Sequence, residues 1–385
     1  MLALEAPRWI TDPLGRLSLS YHQQRLASRY VAGLMASSNK TISGIGSMFV
    51  GQCTRSMNRL LTEYQWDPDA VNTERLQHLQ HYNETRWCSD GILIIDDTLI
   101  EKTGKQIPCA GKFFDHCKKR FVHGHCLVNM HYADSKTSYA IDYRLYLKRG
   151  TDGFQTKISL AQNLLSRYRD VPAMTVVWDA WYTSRQMVEC VEGIGKYWIG
   201  ACKSNLLVKY GRGYVPVREW AESIARDKFR RVEANDRKLR VYSKRLYIKS
   251  LGCIRRVIVS KEGKDVIFLL TNKRTSARKI LVQYISRWKI ESFHKDAKQH
   301  LGLGKIQARN IVGIRRHWYL VFLAHSLLRL GASESSFGRA LIRTIGKKAK
   351  AACLQMLEEF MRWIVTRGDQ EKLHDIVEAI LYRQS

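Results

Sequence analysis

Gly91-Ile92-Leu93-Ile94-Ile95-Asp96-Asp97 is a continuously apolar run that ends in two acids. Runs of this length without alternation are the mark of a strand buried on both faces, as in the parallel part of an α/β sheet. A second run of the same kind, Met174-Thr175-Val176-Val177-Trp178-Asp179, also stops on an acid. Between them lie two strand-like segments, 125–132 and 139–147, and a helical pattern over 157–167. A helix over 183–194 and a strand over 197–201 complete the set. Strands interleaved with helices in this order predict an α/β core built on a mixed sheet. In open sheets of that class, functional groups gather beyond the carboxyl ends of the strands. Asp97 and Asp179 are therefore candidate site residues, with Asp96 the alternative at the first position. Neighbouring strand residues face opposite ways, so only one of Asp96 and Asp97 can enter a given site.

Working outward, residues 1–88 read as helical, with apolar Leu26, Tyr30, Val31 and Leu34 at helical spacing after the cap-forming Ser18 and Ser20. Two short helical runs, 41–50 and 55–63, flank a Gly-containing turn. The second carries Arg55, Asn58 and Arg59, which fits a helix-turn-helix that reads DNA or the basic face of a small bundle. Residues 203–272 break the α/β rhythm with short β-like runs dense in Lys and Arg, and predict a basic β-rich insertion between two parts of the core, 89–202 and 273–332. Helices dominate from Ser276 on, and 333–385 forms a C-terminal helical region.

The 385 residues include 64 Lys+Arg against 35 Asp+Glu, a formal charge of +29. That excess points to a polyanionic partner, nucleic acid being the commonest. No apolar stretch approaches the roughly 20 residues a membrane-spanning helix needs, and the first residues lack the basic-then-apolar pattern of a secretory signal. Nine scattered cysteines fit a reducing compartment. A cytoplasmic location is expected.

The third candidate acid lies in Tyr284-Ile285-Ser286-Arg287-Trp288-Lys289-Ile290-Glu291, which continues to Lys295 and Lys298. On a single helix at about 100° per residue, Tyr284, Arg287, Glu291 and Lys298 share one narrow stripe with Lys295 beside it. One acid among Tyr, Arg and Lys suits a face turned toward a phosphate backbone.

Tyr-x2-Arg-x3-Glu-x6-Lys resembles the signature around the last catalytic acid of DDE-superfamily transposases of bacterial insertion sequences, in the insertion-sequence-four clan. Leu93–Thr98 with Lys102 and Gly104 looks most like the insertion-sequence-701 type. The resemblance implies a ribonuclease-H-like catalytic core with a β-rich insertion between the second and third acids. Carried over, Asp97, Asp179 and Glu291 are the catalytic and metal-binding acids, and Tyr284, Arg287 and Lys298 are DNA contacts; Lys295, beside them on the stripe, is a further DNA-binding candidate. It further implies Mg2+ as cofactor (Mn2+ substituting), two ions per site, and a homodimer on double-stranded DNA that includes terminal inverted repeats and target. The activity implied is cut-and-paste transposition. A nuclease of the same fold without strand transfer, or a regulator that no longer cleaves, is the alternative.

This chemistry requires such residues. Two hard cations held about 3.5–4 Å apart by carboxylates activate water and stabilise the leaving 3′ oxygen of a phosphodiester, and all-oxygen ligands suit Mg2+. Lesser signals predict little. Cys109, His116, Cys117, His123, His125 and Cys126 lack the usual zinc spacings and read as hairpin residues. Gly302-Leu303-Gly304-Lys305 lacks a phosphate-loop spacing and reads as a helix stop, so no ATP requirement is expected. The Trp and Tyr residues of 284–320 read as core.

Overall fold

The computed structural model describes residues 5–49, 53–104, 106–115, 118–331 and 344–366. Five helices come first: α1 (Arg8–Leu14), α2 (Tyr21–Ala36), α3 (Ile42–Gly46), α4 (Thr54–Thr62) and α5 (Pro68–Gln80). The sheet then begins with β1 (Ile92–Glu101), β2 (Gly111–Asp115), β3 (Arg120–Ala133) and β4 (Ser138–Tyr146). Next come α6 (Lys157–Arg167), β5 (Thr175–Trp178), α7 (Arg185–Gly193) and β6 (Tyr197–Ala201). The basic segment supplies β7 (Leu207–Tyr210), β8 (Gly213–Pro216), α8 (Val217–Glu222), β9 (Arg230–Ala234), β10 (Arg237–Ile248), β11 (Cys253–Glu262) and β12 (Asp265–Thr271). The described chain closes with α9 (Ala277–Ile285), α10 (Trp288–His300), α11 (Ile311–Gly331) and α12 (Ile345–Thr366).

All the strands join one mixed sheet. β1 pairs antiparallel with β3 and parallel with β5, β4 extends β3 antiparallel, and β6 lies parallel to β5. The core order is therefore β4-β3-β1-β5-β6, with the acids in the middle of β1 beside the acid that follows β5. The basic segment is not a separate layer. β12 pairs antiparallel with β6, and β11 and β10 follow, so the insertion lengthens the same sheet.

The two faces of the sheet bury different helices, and the two-residue alternation of β1 sorts its side chains between them. Leu93 and Ile95 join Trp178, Trp198 and the α6–α7 residues Leu164 and Met187 in one apolar cluster. Ile92 and Ile94 join Ile280, Tyr284 and Ile290 of α9 and α10 in another. The N-terminal helices form no unit of their own, contrary to the boundary expected at residue 88. They share a single core with α11 and α12, in which Tyr30, Leu34 and Leu60 pack with Trp318 and Phe322. The cause lies in α11, whose run from Trp318 to Leu328 is buried almost all round and must be covered by other helices. Polar ties cross the same interface. The Tyr30 hydroxyl meets His317 Nδ1 at 2.8 Å, and the buried Arg75 guanidinium donates to Ser326 Oγ and to the carbonyls of Ala140 and Ile141.

The expected helix-turn-helix is reduced on its first arm, since α3 has only five residues. Residues 50–52 lie outside the described residues. Arg55, Asn58 and Arg59 are exposed on α4, and Arg59 pairs with Glu63 at 2.8 Å. Gly302, at φ +70°, ends α10 as expected. The carbonyls of Gly304 and Ile306 accept from the buried Lys102 Nζ just beyond β1, which ties the strand end to the turn after α10.

Candidate active site

The middle of β1, just past the point where its parallel pairing with β5 stops at Ile95, places two acids side by side on opposite faces. Asp96 turns toward α10. Its Oδ2 accepts from Arg287 Nη1 at 3.1 Å and its Oδ1 from the Asp97 backbone N–H at 2.9 Å. Burial pushes the Asp96 carboxyl up to about 7, against the opposing pull of Arg287 and with Asp97 and Asp179 adding to the rise. Asp97 turns toward α6. There Lys157 Nζ donates to Oδ2 at 2.7 Å, the Tyr182 hydroxyl to Oδ1 at 3.0 Å, and the Cys126 thiol lies at 3.6 Å. Both Asp97 oxygens are engaged by the chain itself. Asp97, the expected first acid, thus lies on the α6 side, and the alternative, Asp96, lies on the side of the Glu291 helix.

Asp179 follows β5 directly, where the backbone leaves the sheet. Its Oδ1 accepts from the Trp181 N–H at 3.0 Å, an Asx turn that fixes the carboxylate at the strand end. Burial raises it, and the Trp181 N–H and Arg287 oppose the rise.

The segment of the third acid is not one continuous helix. α9 ends at Ile285 and α10 begins at Trp288, with Arg287 at the N-cap position. The N–H groups of Arg287, Lys289 and Ile290 reach back three residues rather than four, to Tyr284, Ser286 and Arg287, so the backbone tightens into a 3₁₀-type turn. Ser286 Oγ donates to the Val282 carbonyl at 2.9 Å, the local side-chain bonding that competes with a regular helix. The single stripe expected over 284–298 is therefore split. Tyr284 is buried with α9 against the sheet, and Arg287 lies 5.9 Å from its ring centroid. Glu291, Lys295 and Lys298 keep their shared side on α10, with both lysines exposed.

Arg287 sits at the centre. Nη1 meets Asp96 and Nη2 meets Glu291 Oε1 at 2.7 Å, with only 10% of the arginine side chain exposed. Burial alone would lower its pKa, but Asp96, Tyr284 and Glu291 outweigh that and raise it. A permanent cation thus occupies the space between two of the three acids. Among the described residues, no three His, Cys, Asp or Glu side chains converge closely enough to hold a metal ion as they stand. The donor set nonetheless fits a hard divalent cation. Three carboxylates come from separate elements, and the most buried of them is already balanced by positive charge.

Several neighbours carried no sequence signal of their role. Lys157 and Tyr182 hold Asp97. Asn129, paired with Asp96 across the β1–β3 ladder, bonds His294 of α10 at 2.7 Å. His294 is pushed down to about 3, by burial and then by Lys298. In the Cys/His cluster, His125 Nε2 bonds the Pro108 carbonyl at 2.9 Å and burial lowers it to about 4, as suits a structural hairpin histidine. His116 and Cys117 lie outside the described residues. Tyr319 and Trp318 are buried as expected, whereas Trp288 is 53% exposed.

A set of acids in the middle of β1 and at the end of β5, faced by a helix with a third acid, defines a candidate phosphoryl-transfer centre. The family model described as Transposase DDE domain matches residues 87–327, and the chain belongs to that family. A Sinorhizobium fredii protein named "Putative transposase y4zB" is 32% identical over 91 residues, 23% of this chain and 26% of that protein. The chain thus matches about a quarter of that relative's length. Among solved structures, the NurA nuclease from Sulfolobus solfataricus is similar at 10% identity and a TM-score of 0.26, covering 58% of this chain and 86% of that one. A likeness that low carries no argument. No described helix is long and apolar enough to cross a membrane.

Proposed function

We propose that the chain is a cut-and-paste DNA transposase of the insertion-sequence-four clan, most like the insertion-sequence-701 type. It binds the terminal inverted repeats of its element, cleaves at their boundary and joins the 3′ ends to target DNA. The observation that carries this reading is the arrangement of Asp96, Asp179 and the α10 residue Glu291 about a buried arginine. The strand order β4-β3-β1-β5-β6, with three antiparallel strands followed by two parallel ones, supports a ribonuclease-H-like core.

Asp96, Asp179 and Glu291 would hold divalent cations, Mg2+ or Mn2+, which supply an activated water and charge relief for the leaving oxygen. Asp96 and Glu291, which hold Arg287 between them, would have to loosen it to serve as ligands. The guanidinium would then be available to a phosphate, whose two oxygens its fork geometry suits. Lys295 and Lys298 neutralise the backbone alongside, and Tyr284 braces Arg287 from the core. Asp97, held by Lys157 and Tyr182, fixes the middle of β1 so that Asp96 keeps its orientation. Arg55, Asn58 and Arg59 present an exposed basic surface to DNA. The reading includes a homodimer on DNA, action without ATP and a cytoplasmic location.

The test is cleavage of linear DNA carrying the element's own ends, with Mg2+ or with chelator, using the unmodified protein and Glu291→Ala. Metal-dependent cutting at the repeat boundary, lost in the variant, with end-joined products, is the expected result. Cutting indifferent to the ends would indicate a nuclease. Binding without cleavage in any divalent metal would indicate a regulator.

A further inference from the structure

Glu291 sits between two polar contacts that α10 makes with the sheet. One turn before it, Arg287 reaches Asp96 of β1 at 3.1 Å and Glu291 itself at 2.7 Å. One turn after it, His294 Nε2 accepts from Asn129 Nδ2 of β3 at 2.7 Å. Asn129 is the cross-strand partner of Asp96. Residues directly opposite in an antiparallel pair project from one face, with Cβ atoms about 4.5–5.5 Å apart. At about 100° per residue, Glu291, His294 and Lys298 fall within about 60° of one another on α10. The acid, the arginine before it and the histidine after it therefore address one strip of sheet, where Asp96 and Asn129 lie side by side.

The two contacts differ in permanence. The Arg287 contact is made by two carboxylates that a cation would need, so it must loosen for them to serve as ligands. The Asn129–His294 contact uses neither carboxylate, and both residues are buried, at 1% and 6% exposure. An amide nitrogen only donates, so the histidine ring accepts as the neutral form. Packing does not account for the pair. Ile290, Phe293 and Ala297 already bury the apolar side of α10. The Asn129 amide leaves its own Oδ1 buried with no partner among the described residues, which costs stability relative to an apolar side chain. Apolar contact is non-directional and sets how close α10 lies to the sheet. A directional hydrogen bond also sets the helix's rotation and its position along its axis. Lys289 bonds the Asp134 carbonyl from another side of α10 and does not act on this strip.

We propose that Asn129 and His294 are positioning residues of the acid site, whose hydrogen bond keeps Glu291 beside Asp96 while Arg287 is loosened for a divalent cation. The proposal rests on the reading of Asp96, Asp179 and Glu291 as metal ligands. Neither Asn129 nor His294 is a ligand. They act through the helix that carries one.

The experiment uses the full chain and measures Mn2+ affinity by calorimetry in the unmodified protein, His294→Leu, Arg287→Gln and the double variant. His294→Leu alone is expected to lower affinity by about tenfold, the size usual for a residue that orients a ligand. In Arg287→Gln protein the other contact is already gone, so the same change is expected to cost at least about threefold more. Unchanged affinity in His294→Leu would overturn the proposal. So would losses that agree within about twofold in the two backgrounds, since a general loosening of the core has no reason to depend on Arg287. His294→Gln, which can still bond the Asn129 amide, is expected to keep affinity within about threefold of the unmodified protein. A loss in His294→Gln as large as in His294→Leu would count against the hydrogen bond. Melting temperatures check that each variant folds, and Asn129→Leu removes the same bond from the strand side as an independent repeat. Asp96→Asn separates the two readings. Affinity lost in Asp96→Asn but kept in His294→Leu leaves the acid site standing without its positioning pair, whereas Mn2+ binding that Asp96→Asn does not weaken breaks the metal reading and the proposal with it.

Discussion

The two faces of β1 carry one carboxylate each at mid-strand, one residue apart, and treat them in opposite ways. On the α6 side, Asp97 is matched by a lysine, a tyrosine hydroxyl and a thiol from its own chain. On the α10 side, Asp96 has a guanidinium that it shares with Glu291, and burial holds its carboxyl up near 7. The first arrangement is closed: every strong partner is permanent and no ligand is needed. The second is provisional, because a shared monovalent cation satisfies two carboxylates less completely than a divalent one would. Two neighbouring acids on one strand are thus given different partners simply through its pleat.

The sharpest way to break this comparison is to neutralise each acid in turn. Asp96→Asn is expected to lower metal-dependent DNA cleavage by on the order of 10³-fold or more, since it removes a ligand. Asp97→Asn is expected to retain cleavage within about tenfold and to lose stability instead, by about 2 kcal/mol in urea unfolding, because it leaves Lys157 half-buried without its partner. Equal loss of cleavage in the two variants would erase the distinction.

Lys157→Met probes the closed face from the other side. It strands Asp97 and is expected to lower stability by about 1–3 kcal/mol, with the midpoint of chemical unfolding as readout. The Mn2+ affinity of the variant is expected to match that of the unmodified protein.

Arg287→Gln probes the provisional face. With the internal cation gone, the competent acid set is populated more often and apparent Mn2+ affinity rises by roughly fivefold, while affinity for DNA falls. Calorimetric titration with and without DNA separates the two effects, and unchanged metal affinity would show that Arg287 does not compete.

The smallest expected effect comes from pH. His294 and His317, pushed down to about 3, and His125, down to about 4, are neutral in the fold in each case chiefly because of burial. The unfolded chain protonates histidine near 6.5, so stability is intact above that value and is lost as pH falls below it, continuing toward 3–4. Each such histidine removes about 1.4 kcal/mol per pH unit below 6.5. His294→Leu is expected to flatten the fall in melting temperature between pH 7 and pH 5 in the metal-free protein. An unaltered slope would place the titration elsewhere.

The strands around the site were legible because Ile92–Ile95 and Val176–Trp178 are short runs apolar without interruption, as strands covered on both faces are. The acids at their ends followed from the same reading. Which of Asp96 and Asp97 meets Glu291 was not legible. Alternation states that they differ, but which face receives α10 is decided by contacts nearly 200 residues away. The turn between α9 and α10 contains neither Gly nor Pro, so nothing punctuates the helical pattern at Ser286. The helices before residue 88 showed their apolar stripes but not their partner, since α11 reaches them only through the tertiary fold.

The most direct measurement is Mn2+ binding to the unmodified protein, Asp96→Asn and Asp97→Asn, followed by electron paramagnetic resonance in the presence of duplex DNA. The account predicts that Asp96→Asn loses the bound-ion signal and Asp97→Asn keeps it. Loss in Asp97→Asn with retention in Asp96→Asn would contradict it, and would move the metal site to the α6 face.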